Sequence, residues 1–158
     1  MVRIVPATAA DVPAIHGLIR ALAEYEQLSH ELVSTEADIQ QGLFGPRPYA
    51  EVILAKSDER TVGFALFFHN YSTFLGRPGL YLEDLFVLPE HRGAGVGRAL
   101  LGALARIALE RGCGRLEWSV LDWNEPALLF YRRMGAYVLD DWRICRLTGE
   151  ALAQAARS

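Results

Sequence analysis

The residues with the clearest chemical meaning are three glycines at every second position, Gly93, Gly95 and Gly97. They follow an apolar run at 80–87 that predicts a strand, and an amphipathic helix begins directly after them. A glycine-rich turn at a helix start presents backbone N–H groups to an anion such as phosphate. The spacing is not the G-x-G-x-x-G of a dinucleotide site, and a nucleotide-triphosphate loop needs a lysine that this loop lacks. Arg92 stands in front of the loop as a candidate phosphate partner.

Two adjacent acids, Glu83 and Asp84, lie near the end of the same predicted strand. Successive side chains of a strand face opposite sides of the sheet, so both can enter one site only if a β-bulge intervenes. Either could take a proton from a substrate; the alternative is one solvated edge carboxylate and one helix-capping carboxylate. Tyr131, on a later predicted helix, could donate a proton or simply anchor its helix against a sheet.

The hydrophobic periodicity predicts one mixed α/β (α+β) domain spanning residues 1–158. We expect a twisted mixed sheet of about six or seven strands flanked by four or five helices. The predicted strands cover residues 2–7, 50–55, 61–68, 80–87, 115–121, 137–139 and 142–147. The predicted helices follow Thr8–Asp11, Thr35–Asp38, the glycine turn and Asn124, with a short one at the end of the chain.

Composition limits the class of protein. At 158 residues with 51% hydrophobic residues, the chain has the size and composition of one globular domain. It shows neither an apolar run long enough for a bilayer nor a signal-peptide pattern, so we expect a cytoplasmic protein with no membrane partner. A net charge of −3 argues against nucleic acid as the main partner. The histidines and the two cysteines fit no metal spacing, and Cys113 and Cys145 are predicted as small core residues.

Two segments together carry a family resemblance. The loop Arg92-Gly-Ala-Gly-Val-Gly97, and the later stretch from Asn124 through Phe130-Tyr131 to Gly135, resemble the two coenzyme motifs of the GCN5-related N-acetyltransferases. Further segments are similar to the diamine (spermidine/spermine) acetyltransferases and their thialysine-acetylating relatives: Pro6–Asp11, Tyr25-Glu26, Tyr81–Asp84, Trp123–Pro126 and Trp142-Arg143. This resemblance covers nearly the whole chain.

The resemblance implies acetyl-coenzyme A as co-substrate and no metal. The sheet would splay open beside the strand ending at Val87, with the pantetheine arm pairing with that strand and the pyrophosphate on residues 93–98. The coenzyme-binding residues it implies are Leu85, Phe86, Val87, Arg92, Gly93, Ala94, Gly95, Val96, Gly97, Arg98, Asn124, Glu125, Pro126, Ala127 and Tyr131.

The resemblance also implies direct acetyl transfer to a primary amine, with Glu83 as the base and Tyr131 as the acid. The acceptor would be a small cation, either a polyamine or a thialysine- or lysine-like amino acid. The substrate residues it implies are Tyr25, Glu26, Glu83, Asp84, Asp141 and Trp142. Asp140 and Asp141 could equally be the polar tip of a turn.

The sequence leaves two other functions open, and the resemblance also implies an oligomeric state. The shared coenzyme motif would suit an enzyme that acetylates a protein or peptide amine, or a coenzyme-binding module without turnover. Phe74 stands where diamine acetyltransferases carry tryptophan, so the coenzyme motif supports acetyl transfer better than it supports polyamine specificity. Enzymes of this branch are homodimers, and we expect a homodimer here.

Overall fold

The computed structural model describes all residues, 1–158. The chain forms two compact units, Met1–Ser119 and Val120–Ser158. The first unit contains β1 Val2–Pro6, α1 Val12–Tyr25, α2 Glu36–Phe44, β2 Glu51–Ser57, β3 Arg60–Ser72, β4 Arg77–Val87, α3 Val96–Glu110 and β5 Leu116–Trp118. The second contains α4 Glu125–Arg133 and α5 Gly149–Ala156. No helix is long and apolar enough to cross a bilayer.

The first unit is built on a five-stranded mixed sheet in the order β1-β2-β3-β4-β5. Neighbours from β1 to β4 are antiparallel, whereas β5 runs parallel to β4. β5 pairs only with Leu80–Leu82 and ends at Trp118. From Asp84 to Val87, β4 therefore pairs with β3 on one edge and with no strand on the other. The predicted opening of the sheet beside this strand is confirmed.

Local signals explain the first two helices. Before α2, the Thr35 backbone N–H donates to Asp38 Oδ2 at 2.9 Å, and the Asp38 N–H donates to Thr35 Oγ1 at 3.2 Å. This reciprocal pair satisfies backbone donors that a helix start leaves open. Thr8 and Asp11 make a similar contact before α1, with 2.8 Å from the Thr8 N–H to Asp11 Oδ2. The predicted helix starts are confirmed.

Apolar faces hold the helices on the sheet. The core cluster on the α1 side consists of Ile15, Leu18, Leu22, Leu43, Val52, Leu54, Phe64 and Phe86. α3 packs on the opposite face of the sheet. Phe64 faces α1, so the neighbouring position Gly63 faces the other side. A Cβ placed on Gly63 would lie 3.4 Å from Leu100 Cδ1 of α3. This packing fixes the end of α1 and the start of α3 relative to the C-terminal end of β4.

The predicted strand count was too high. The sheet has five strands instead of six or seven, β5 is shorter than predicted, and residues 137–147 form no strand. Their alternation of apolar side chains misled the prediction, since Tyr137, Trp142 and Ile144 are 83%, 78% and 73% exposed. A strand forms only where a neighbouring strand accepts its hydrogen bonds. The core assignment of Cys145 was also wrong, because this thiol is exposed while Cys113 is buried.

Candidate active site

A β-bulge lies at the pair of acids in β4. Leu66 of β3 pairs with Asp84, but the next residue, Phe67, pairs with Leu82. Glu83 is thus an extra residue between two paired positions, and its side chain is exposed. A bulge releases its residue from strict alternation and re-aims its side chain. The structural condition for Glu83 and Asp84 to enter one site is met.

Glu26 joins these two acids to form the acidic cluster, defined here as Glu26, Glu83 and Asp84. It caps the C-terminus of α1. Burial raises the pKa of Glu26, and the nearby Glu83 carboxylate raises it further. Burial also raises the pKa of Asp84 to about 7, with added repulsion from Glu83 and Glu26. The three charges are therefore close enough to act on one another.

The negative charge of the acidic cluster is not balanced by an ion pair within the chain. None of its carboxylates forms an ion pair with an arginine, lysine or histidine of the chain. Like charges gathered in a half-buried place disfavour ionisation unless a cation joins them. No group of three or more His, Cys, Asp or Glu side chains has an arrangement suited to a metal ion. The cluster suits an organic cation such as an ammonium group.

Tyr25 and Phe86 lie beside the acidic cluster, and Arg92 covers both. Their ring centroids are 6.4 Å apart, and the guanidinium carbon of Arg92 lies 4.9 Å from the Tyr25 ring and 5.1 Å from the Phe86 ring. Arg92 Nε also donates to the Val87 carbonyl oxygen at 2.9 Å. The structure therefore turns this side chain toward the ends of α1 and β4.

The glycine turn has the geometry of an anion cradle. Gly93 and Gly95 have φ angles of 80° and 84°, in the left-handed region that favours glycine. A Cβ at either position would meet no atom within 4 Å, so both backbones face open space. Gly95 caps α3, whose first N–H groups have no acceptor within the helix. Gly93–Arg98 thus offer backbone donors to a phosphate.

The open edge of β4 continues from this cradle. The unpaired edge at Leu85–Val87 offers backbone groups that need a hydrogen-bonding partner. An extended amide-containing chain could pair with them as an added strand. The edge and the cradle are adjacent along the chain, separated by the short turn Pro89–His91. The residues present fit a coenzyme that carries both amides and a pyrophosphate.

The second unit contains the remaining predicted site residues. Asn124 is buried and caps α4, accepting from the Ala127 N–H at 3.4 Å. Tyr131 is half-buried on α4, with its ring centroid 5.5 Å from that of Phe130. Asp141 and Trp142 are exposed in the irregular segment that follows α4. The helix start predicted at Asn124 is confirmed, whereas the strand predicted around Trp142 is not formed.

An aromatic pair was missed by the sequence analysis. Phe68 of β3 faces Tyr81 of β4 in the sheet, and their ring centroids are 5.3 Å apart. The Tyr81 hydroxyl is 2.9 Å from Ser119 Oγ. The signal that could have found the pair is the hairpin register, which places these two residues opposite each other once the bulge is included.

Comparison with known proteins gives consistent matches. The acetyltransferase (GNAT) family model matches residues 16–136. The chain is 37% identical to L-ornithine N5-acetyltransferase of Arabidopsis thaliana, covering 95% of this chain and 86% of that protein. It is 39% identical to thialysine N-epsilon-acetyltransferase of Bos taurus, covering 88% of each. Among solved structures, an integron cassette protein from V. cholerae superposes with a TM-score of 0.83 at 27% identity, over 99% of this chain and 98% of that one.

Proposed function

Since the chain belongs to the acetyltransferase (GNAT) family and is an acetyl-coenzyme A-dependent N-acetyltransferase, we propose that its acceptor is the primary amine of a small cationic molecule. The acceptor class comprises polyamines, diamines and basic amino acids of the ornithine and thialysine type. Relatives whose names state ornithine and thialysine as substrates support this class.

The observation that carries the proposal is the acidic cluster. Three carboxylates meet at the end of α1 and the bulge of β4 without a cationic partner in the protein. A dication would neutralise part of this charge, with one amino group near Glu83 and the other near Glu26. The Tyr25 ring beside Glu26 offers an apolar surface for the alkyl chain between them. An extended peptide with a neutral backbone would leave the carboxylates uncompensated.

The proposed chemistry uses one base and one acid. Glu83 takes the proton from the substrate ammonium, through water, so that the neutral nitrogen attacks the thioester carbonyl. The carbon–sulfur bond then breaks as Tyr131 gives its phenolic proton to the departing thiolate, and the second proton of the acylated nitrogen, passed through water, restores the Tyr131 phenol. A phenol with a pKa of about 10 can protonate a thiolate whose parent pKa is about 8.5 if the site lowers the phenol pKa somewhat. Asp84 orients the substrate cation.

The coenzyme would be held by the glycine cradle and the β4 edge. Backbone donors of Gly93–Arg98 would bind the pyrophosphate, and Leu85–Val87 would pair with the pantetheine amides. Asn124 to Ala127 and Tyr131 would contact the arm further along. Acetyl-coenzyme A supplies the activated acyl group, and the residues named here bind it, orient it and move the protons.

Tyr131→Phe tests the acid role. We expect kcat to fall about 100-fold or more, because a lost general acid typically costs that factor. The dissociation constant for coenzyme A, measured by calorimetry, should change less than about twofold, since the ring remains in place. Tyr49→Phe is the matched control, because Tyr49 is 80% exposed and carries no proposed role. A Tyr131→Phe enzyme with the turnover of the Tyr49→Phe control would remove Tyr131 from the mechanism.

A homodimer in the cytoplasm is proposed alongside this activity. The family resemblance supports the dimer, and the exposed apolar side chains of residues 137–147 are of the type that a subunit interface covers. Light scattering on the purified protein should give twice the chain mass of 17.6 kDa. A single-chain mass at micromolar concentration would exclude a stable dimer.

A further inference from the structure

Arg92 stands in front of the glycine cradle, and its side chain contacts the ends of α1 and β4. Its Nε donates to the Val87 carbonyl at 2.9 Å, and its guanidinium lies over the Tyr25 and Phe86 rings. Arg92 forms no ion pair with a carboxylate of the chain. These contacts join the last residue of α1 to the last residues of β4.

We propose that Arg92 is a positioning residue that fastens the C-terminal end of α1 to the end of β4 and thereby holds Glu26 beside Glu83 and Asp84. The inference rests on the proposed function, because it assigns Arg92 to the amine side of the site. In this proposal the guanidinium of Arg92 binds the Tyr25 and Phe86 rings and the Val87 carbonyl oxygen instead of the coenzyme pyrophosphate.

The acidic cluster explains why such a fastener is needed. Glu26 is carried by α1, whereas Glu83 and Asp84 are carried by β4, so their mutual repulsion pushes the two elements apart. Arg92 acts across the same junction through a neighbour of each: Tyr25 next to Glu26, and Phe86 two residues after Asp84.

A local turn closes the end of α1. α1 ends at Tyr25 with Glu26 as its cap, and Gln27 follows with a φ angle of 61°, a left-handed conformation that is unusual outside glycine. The Leu28 N–H closes the helix end on the Ala23 carbonyl at 2.8 Å. This turn fixes the backbone direction after Glu26. The Phe86 ring of β4 contacts the Tyr25 ring, and Arg92 lies over both.

A guanidinium suits this role better than an ammonium. It is planar, stacks on aromatic faces and can donate from Nε in the same plane. A lysine has a single charged nitrogen, which would have to serve both the two rings and the Val87 carbonyl oxygen. Arg92→Lys is therefore expected to behave like Arg92→Gln, although it keeps the charge that a pyrophosphate partner would need.

The test compares Arg92→Gln with Arg98→Gln. Arg98 lies in the first turn of α3, is exposed and forms no ion pair within the chain, so it remains a pyrophosphate candidate. We expect Arg92→Gln and Arg92→Lys to raise the amine KM about tenfold, with kcat and the coenzyme A dissociation constant within a few-fold of wild type. Arg98→Gln should instead weaken coenzyme A binding. Weakened coenzyme binding with an unchanged amine KM in Arg92→Gln would overturn the proposal.

A second measurement keeps the inference independent of substrate choice. Amide hydrogen exchange in residues 24–28 should be faster in Arg92→Gln than in wild type, and unchanged in Arg98→Gln, because the Arg92 guanidinium lies over the Tyr25 ring at the end of α1. Wild-type exchange in Arg92→Gln would refute the fastening role even if amine kinetics change. Absence of amine acetylation by the wild-type enzyme would instead contradict the proposed function and leave the exchange result to decide the role of Arg92.

Discussion

Of the three carboxylates in the acidic cluster, Asp84 has the most strongly shifted pKa. Its pKa of about 7, caused by burial and then by Glu83 and Glu26, means that Asp84 carries a proton for part of the neutral range. A bound ammonium would favour the ionised form and release that proton. Binding of the proposed amine would therefore release a proton from Asp84.

Asp84→Asn should change how stability depends on pH. Between about pH 4 and 7 the folded state keeps a proton that the unfolded state has released, because an aspartate in the unfolded chain has its ordinary pKa of 3.8. The free energy of unfolding of the wild type therefore falls by up to about 1.4 kcal/mol per pH unit in this window, and the asparagine variant lacks that decline. Urea unfolding at several pH values should show the advantage of the variant growing until about pH 7 and then levelling. Asp140→Asn, on an exposed side chain, is the control, and a gap that does not vary with pH would contradict the assignment.

At the residue scale, the sequence predicted membership of the acidic cluster but not its geometry. Glu26, Glu83 and Asp84 were all expected as substrate residues, and the structure brings them together. The direction of Arg92 could not be predicted, since it depends on rings contributed by α1 and β4, which only the tertiary structure places side by side. A sequence motif predicts where the backbone of a residue lies, whereas the direction of a long side chain depends on its tertiary contacts.

At the element scale, the opening of the sheet beside β4 depends on two irregularities in the strands. The bulge at Glu83 turns an acid toward the site, and the early end of β5 leaves Glu83–Val87 with a free edge. Helix starts and the hairpin between β2 and β3 were predictable because caps and turns are local signals. The absent strands at residues 137–147 were not, because pairing depends on a distant partner that alternation does not reveal.

Gly63→Ala should destabilise the sheet at this opening. A Cβ at Gly63 would lie 2.9 Å from the Phe86 carbonyl oxygen, a backbone atom of β4 that can move only if the strand moves. Overpacking of this kind costs about 1–3 kcal/mol, which thermal or urea unfolding would measure. Gly102→Ala in α3 is the matched control: its Cβ would meet only the end of Arg106, at 3.8 Å, and alanine favours a helix by about 1 kcal/mol. Equal effects of the two substitutions would show that the approach of β3 to β4 is not the constraint.

At the scale of the whole molecule, the family model spans parts of both compact units, residues 16–136. The coenzyme cradle and the acidic cluster belong to the first unit, and the proposed acid Tyr131 belongs to the second. The proposed mechanism uses residues of both units, and a single functional domain over residues 1–158 stays a prediction. The resemblance over nearly the full chain made the family and acetyl transfer predictable, whereas the identity of the acceptor stays a proposal.

The most direct test of the account is a competition between two amines that differ only in the second charge. Wild-type enzyme with acetyl-coenzyme A would be given equal concentrations of putrescine and butylamine, and the acetylated products quantified by mass spectrometry. The acidic cluster predicts a preference for putrescine of at least about tenfold, equivalent to about 1.4 kcal/mol, and a preference that falls toward one in Glu26→Gln. Equal acetylation of the two amines by the wild type would contradict recognition of a cationic acceptor by these carboxylates.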